Sequence, residues 1–384
     1  MSLAGVLYPR KGAVSLHSFP QRTQVNFWCY PRVIVKNSLI KNDQPIGMLR
    51  LLVKKVTVSM TENLDNALLS MRMKPVQMAL MTLGYNHDMA VTDSGMELIV
   101  RRPGLTVNFN LDSVTLCIVA DFMWHGCVPA KKQAEYLRAA NEFNRPTRDL
   151  QVVLDEADSK NMTVRGREFF FSSVGATWEQ SAEFVHYCMN DVATTFVSWC
   201  EQIWPKFSPE RVEFNATPPD VDFEFSEDQL KEGNPFGLID EPTPLVSLDR
   251  IYQQYELMGA DQLKMGEDFV EYLHMGQRVS AWLTDGNNGS DRKTLAVSSG
   301  TGVKIKNKKQ LQELLGLCNL YSKEHVLVTV FAEEIENGAR WGIFAEARID
   351  LPAGLNDHQL WVFLANSSKW TAEVCLTVAH RLQN

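Results

Sequence analysis

The chain has 384 residues, of which 45% are hydrophobic and 22% charged, and its formal net charge at pH 7 is −8. This length allows two or three domains, and the negative charge argues against non-specific binding of nucleic acid by the whole molecule. The seven cysteines lack disulfide-scaffold spacing, and no stretch approaches 18 uninterrupted apolar residues. We therefore predict a cytoplasmic protein without disulfide bonds or a membrane-spanning helix.

The N-terminal segment differs in charge from the rest of the chain. Residues 1–59 carry nine Lys and Arg side chains and one acid, Asp43, so their net charge is +8 and that of residues 60–384 is −16. Met60 resembles an ordinary start of translation, so we expect residues 1–59 to be a basic extension that packs little against the domains. The alternatives are a structured appendage, a targeting segment and a basic arm that contacts nucleic acid.

Residues 60–204 have the pattern of one α+β domain. Apolar and polar residues alternate from Leu105 to Leu111, which is the period of a strand with one buried face. Thr177 and Gln180 form a capping-box signature ahead of a long helix with an apolar stripe. In chain order the patterns predict a helix at 62–83, strands at 97–102, 105–111 and 114–124, a helix at 129–143, strands at 150–156 and 164–172, and a helix after Thr177 that ends at Pro205.

Residues 245–384 repeat this order of elements. The patterns predict a helix at 247–258, strands at 268–274, 278–283 and 294–299, a helix at 308–321, strands at 325–333 and 340–349, and a final helix from Asn356 to about Leu382. Each unit is expected to be an α-β-β-β-α-β-β-α domain with an antiparallel sheet packed with helices.

A linker is expected between the two units. Residues 205–244 hold seven of the sixteen prolines and ten acids, which is the composition of a linker. The same segment contains five phenylalanines, which a merely flexible tether does not need. We therefore expect part of the linker to dock on a domain.

Individual residues repeat at a nearly constant offset. Asn141 and Asn319 are 178 residues apart, and Gln180 and Gln359 are 179 apart. This period is too long for a solenoid unit, so it indicates two copies of one domain. We expect the copies to pack as an internal pseudo-dimer about an approximate two-fold axis, with the linker along the seam.

A short motif gives a resemblance to a known family. Residues 140–145, Ala-Asn-Glu-Phe-Asn-Arg, are followed by a strand and then by Gly-Ala-Thr at 175–177 before a long helix. This arrangement resembles the YbjN family, whose members are named as bacterial sensory-transduction regulators and whose fold is similar to that of type III secretion chaperones. Residues 62–204 carry the resemblance, while residues 245–383 are diverged and keep only Asn319 of the motif. The resemblance implies a fold and a binding function, and it supplies no catalytic residues.

Reactive motifs are few. His125 and Cys127 put two possible metal ligands close together, with Cys117 on the same predicted strand region. A zinc site needs three or four ligands, and no second pair is visible. We therefore predict no catalytic residue, no metal and no cofactor, and we interpret the pair as structural or incidental. The alternative is a metal site or a thiol nucleophile with His125 as its base.

The favoured hypothesis is a non-enzymatic protein- or peptide-binding regulator with a chaperone-like fold. An apolar groove or sheet face where the copies meet would receive an amphipathic segment of a partner protein. Nucleic acid and membrane are not expected as partners. A small-molecule sensor with an apolar pocket is the alternative, ahead of the thiol enzyme. The candidate partner-binding residues are Trp124, Trp282, Trp341, Phe223 and Phe225.

Overall fold

Two open antiparallel sheets together with helices give the α+β architecture that the sequence predicts. The structure is a computed structural model, and all of its described residues fall in one unit. It describes residues 72–92, 95–112, 115, 117–145, 150–158, 160–170, 175–209, 243–285, 293–335, 340–350 and 354–383. The predictions for residues 1–59, for the linker between 210 and 242, and for Phe223 and Phe225 lie outside these ranges.

The first sheet has the strand order β1-β2-β3-β4-β7, and both β5 and β6 pair with β7. Its elements are α1 (Lys74–Thr82), β1 (Asp88–Thr92), β2 (Gly95–Arg102), β3 (Leu105–Leu111), β4 (Ile118–Trp124), β5 (Val128–Pro129), α2 (Gln133–Phe143), β6 (Gln151–Glu156), β7 (Asn161–Phe170), α3 (Trp178–Tyr187) and α4 (Ala193–Ile203).

The second sheet has the order β8-β9-β10-β11-β13-β12, which matches the first sheet strand for strand when β5 is left aside. Its elements are α5 (Leu248–Leu257), β8 (Asp261–Met265), β9 (Phe269–His274), β10 (Gln277–Asp285), β11 (Lys293–Val303), α6 (Lys308–Glu324), β12 (Thr329–Ile335), β13 (Arg340–Asp350) and α7 (Asp357–Gln383).

Each half has one strand more than the predicted three-strand meander, namely β1 and β8. Both are edge strands in which four of five residues are exposed. An edge strand without a buried face leaves no apolar alternation to identify it. Strand β3, by contrast, alternates buried and half-buried residues along its whole length, and its predicted bounds are those observed.

The long helix of the first half begins with the predicted capping box but is not continuous. The Thr177 hydroxyl accepts from the amide of Gln180 at 3.1 Å, and the Gln180 side chain accepts from the amide of Thr177 at 2.9 Å. A π-helical turn at Cys188–Val192 separates α3 from α4, whereas the equivalent helix α7 is unbroken over 27 residues. Such π turns have no simple sequence period.

The helix α2 begins later than its sequence pattern indicates. Pro129, expected at the first helical position, lies in β5 instead, and a 3₁₀ turn at Ala130–Lys132 precedes Gln133. The backbone of Pro129 pairs with Asn161 of β7, so strand pairing overrides the helical preference of the proline.

An aromatic cluster closes one end of the first half. Trp204 lies 5.9 Å from Trp124, 5.5 Å from Tyr136 and 5.0 Å from Trp199, measured between ring centroids. Gly126 lies against the face of the Trp124 indole so closely that a Cβ atom there would overlap the ring. The indole therefore requires a glycine at position 126 for steric reasons.

We predict opposite effects of two glycine-to-alanine substitutions. Gly126→Ala should lower the free energy of unfolding by about 1–3 kcal/mol, because overpacking a core displaces its rings. Gly316→Ala, inside α6 with no atom within 4 Å of the new methyl group, should be neutral or stabilise by up to about 1 kcal/mol. Urea denaturation of both variants measures the difference. A stable Gly126→Ala variant would contradict the packing described for Trp124.

Candidate functional site

The two halves meet along their inner edge strands, and each contributes an asparagine that binds the main chain of the other. The Asn141 side chain of α2 donates to the carbonyl of Ala332 at 2.8 Å and accepts from its amide at 2.7 Å. The Asn319 side chain of α6 does the same with Leu154, at 2.9 Å and 2.8 Å. A carboxamide that donates to the carbonyl and accepts from the amide of one residue makes the two hydrogen bonds that a neighbouring strand would make. It therefore satisfies main-chain groups that an edge strand otherwise leaves without a partner.

The offset of 178 residues relates both partners of these contacts. Asn141 corresponds to Asn319 and Leu154 corresponds to Ala332, so the contact from the first half to the second is repeated in reverse. Reciprocal contacts between equivalent positions are the pattern that an approximate two-fold relation produces. Helices α2 and α6 pack against each other beside these contacts.

A pair of glutamines forms a second reciprocal contact. Gln180 donates to the carbonyl of Gly354 at 2.8 Å, and Gln359 donates to the carbonyl of Gly175 at 2.9 Å. The two side chains also contact each other, with Gln359 donating to the oxygen of Gln180 at 3.1 Å. Both glutamines are buried. Each glutamine side chain also accepts from the N-cap amide of its own helix, so the same carboxamide caps a helix and links the two halves.

The contacts between the two halves, which we call the seam, also include charged groups on the outer face of the first sheet. Lys323 forms an ion pair with Asp155, and Arg167 donates to the carbonyl of Lys323 at 2.9 Å. Gln151 donates to the carbonyl of Val328 at 2.8 Å from a buried position.

An open cleft lies beside the glutamine pair and is lined by both halves. Its volume, counted out to the surrounding solvent, is about 430 Å³, whereas its enclosed floor has room for roughly one water molecule. The lining residues are Glu168, Phe169, Phe170, Gln180, Glu183, Phe184 and Tyr187 from the first half and Ile349, Asp350, Gly354 and Leu355 from the second. Aromatic walls and carboxylates therefore meet at a place that neither half forms alone.

The carboxylates of the cleft have unequal surroundings. Glu168 is 7% exposed, and Asp350 accepts from the hydroxyl of Thr294 at 2.6 Å. One oxygen of Glu183 is closed off from solvent, and no donor in the described ranges reaches it.

The predicted partner-binding tryptophans do not come together. Trp124 is 1% exposed within the aromatic cluster, so it is a core residue whose indole no partner can reach. Trp282 is half-buried on the outer face of the second sheet, opposite Phe269. Trp341 pairs with Val303 on the other face, against the helices.

The His125 and Cys127 region is a loop after β4. The imidazole Nε2 of His125 lies 2.8 Å from the hydroxyl of Thr106, and burial lowers the pKa of His125. Cys127 is exposed. Cys117 is buried at the opposite end of the seven-residue strand β4, roughly 23 Å away by the rise of a strand, so it cannot join the pair. Within the described ranges, no group of three His, Cys, Asp or Glu residues could hold a metal ion.

Sequence reasoning missed the acidic and aromatic lining of the cleft. Glu183 follows the capping residue Gln180 by three positions and reads as a solvated helix residue. Phe169 and Phe170 read as ordinary strand residues. The recurrence of Gln180 and Gln359 in the sequence was the available signal, because these two residues form the buried contact between the halves beside the cleft.

The comparisons with known proteins are sparse. No protein-family model and no curated protein matches the chain. The chain is similar to the crystal structure of YbjN, a candidate transcription regulator from E. coli, at 13% identity and a TM-score of 0.29, over 36% of this chain and 96% of that one. This is a weak resemblance in fold. Among the described residues, no helix is both long and apolar enough to cross a membrane.

We predict that removing either asparagine weakens the whole structure. Asn141→Ala leaves the amide and carbonyl of Ala332 without partners, which should lower the free energy of unfolding by about 1–3 kcal/mol. Asn319→Ala should cost less, because Asn319 is only half-buried. Gln312→Ala, at an exposed position of α6, is the control and should have little effect. Urea denaturation measures the free energy of unfolding of each variant. Wild-type values for all three variants would contradict the prediction.

Proposed function

We propose that this chain is a non-enzymatic, cytoplasmic regulator that binds a segment of a partner protein. In this proposal it consists of two tandem YbjN-like domains, at 60–204 and 245–384, paired as an internal pseudo-dimer. The observation that carries the proposal is the cleft at the seam, because its walls come from both halves. A composite cleft of this kind gives a physical reason for keeping two copies in one chain.

The composition of the cleft favours a protein segment as the ligand. Phe169 is a half-buried lining residue that also packs against the core, and the rings of Phe170 and Phe184 stack with centroids 5.3 Å apart. Aromatic residues are enriched where proteins bind one another. The cleft is open and encloses room for roughly one water molecule, while a small-molecule pocket encloses most of its ligand. The shape therefore favours a partner segment over a small molecule.

The thiol-enzyme alternative receives less support from the geometry. A catalytic histidine needs a group that holds its charged form, usually a carboxylate. His125 instead contacts the hydroxyl of Thr106, and burial lowers the pKa of His125, which disfavours the charged form. We therefore keep binding as the proposed function.

Site-specific crosslinking tests the proposal. We would replace Phe169 with the photoreactive residue benzoylphenylalanine in the full chain and irradiate it in an extract of the source cells. The matched control carries the same residue at the exposed position Gln202, roughly 25 Å further along the helical run from the cleft. We expect a discrete protein to crosslink at position 169 and not at position 202.

The captured protein must then be identified and rebound. Mass spectrometry identifies the crosslinked segment, and titration of the purified segment should show saturable binding that Phe169→Ala weakens. Equal crosslinking at both positions, or a purified segment that does not bind, would contradict the proposal.

A further inference from the structure

The two sheets end in equivalent outer strands, β1 and β8, and β1 has the regular form that another strand can pair with. Strand β1 pairs with β2 along its whole length, from Asp88 opposite Ile99 to Thr92 opposite Gly95, without a shift in register. Among the described residues, β2 is its one neighbour in the sheet. A regular edge strand of this kind is a template on which a further strand can add.

Strand β8 has features that oppose such pairing. Its register with β9 shifts between Asp261 and Lys264, and Gln262 has a positive φ of 53°. Lys264 is exposed on the strand. Bulges and edge lysines are devices that keep an edge strand from pairing with other chains. The outer edge of the second sheet is therefore protected, whereas that of the first sheet is open.

The exposed apolar side chains of β1 lie on the core face of the first sheet. Met89 and Val91 stand opposite Leu98 and Met96, which are both buried. Directly opposite residues of an antiparallel pair share a face, so Met89 and Val91 extend the apolar face of the sheet. Their exposed fractions are 55% and 78%. A strand added beside β1 would cover them with its own apolar side chains.

The sequence of β1 fits a second copy of itself. In an antiparallel pair centred on Ala90, Met89 lies opposite Val91 of the second copy, and the two-fold axis repeats this contact. Asp88 lies opposite Thr92 of the second copy, so like charges do not meet. Opposed apolar residues stabilise a sheet, whereas opposed like charges destabilise it.

We infer that β1 is the surface at which two copies of this chain pair edge to edge, joining their first sheets across a two-fold axis. Arg101 forms an ion pair with Asp88 in the same chain, so the strand needs no basic partner. Strand β1 lies at the far end of the sheet from β6 and β7, so the inference does not depend on the function proposed for the cleft. A five-residue strand pair buries little area, and small interfaces are typically transient, so monomer and dimer should exchange.

Sedimentation velocity of the full chain over a concentration series measures this pairing. The wild type should shift reversibly from monomer to dimer as its concentration rises. Met89→Lys and Val91→Glu each place a charge opposite an apolar residue, so each should weaken self-association about tenfold. Met265→Lys, at an exposed position of the protected strand β8, is the matched control and should leave self-association unchanged.

A mixture of the two β1 variants tests the register. In a mixed dimer the new lysine at position 89 lies opposite the new glutamate at position 91, and the other Met89–Val91 contact is intact. The mixture should therefore associate about tenfold more strongly than either variant alone. The thermal unfolding of each variant should match the wild type, because the substituted side chains are exposed.

Several results would overturn the inference. A chain that stays monomeric at every concentration would leave β1 to strands of other proteins. A dimer that neither β1 substitution weakens, or that Met265→Lys weakens equally, would place the interface elsewhere. A mixture that associates no better than its components would exclude the register centred on Ala90. Crosslinking at position 169 is a separate measurement, so the failure of this inference and that of the proposed function are distinguishable.

Discussion

The structure depends on the hydrogen bonds that the main-chain groups of two edge strands make at the seam. Strands β6 and β12 are edge strands of their sheets. The amide and carbonyl groups of Leu154 and Ala332 point away from their own sheets, towards the opposite half. Exposed edge groups invite pairing with other chains, and buried ones without partners destabilise a fold. Asn319 and Asn141 resolve this by giving each edge strand a side-chain partner from the opposite half.

The cleft follows from that arrangement. Because the asparagines fix one sheet edge against the other, the starts of α3 and α7 come together, and Gln180 meets Gln359. The aromatic residues at the end of β7 then face Ile349 and Leu355 across the seam. A change that separates the halves would remove the cleft without touching its lining, so the stability of the seam and the partner binding that we propose should be coupled.

Much of the fold could be predicted from periodicity and capping. The alternation in β3 and the capping box at Thr177 and Gln180 are local signals, and the structure confirms both. Edge strands β1 and β8 gave no such signal because they lack a buried face. The cleft could not be predicted, because the environment of Glu183 is set by a strand and a loop more than 160 residues away. The repeated asparagine was visible in the sequence, but its role depends on the strand of the other half.

Hydrogen exchange at two amides tests the central claim most directly. In the wild-type protein the amides of Ala332 and Leu154 should both exchange slowly, because a side chain of the opposite half accepts from each. Asn141→Ala should accelerate exchange at Ala332 more than at Leu154, and Asn319→Ala should do the reverse. Fast exchange of both amides in the wild type, or an identical response to both substitutions, would contradict the account.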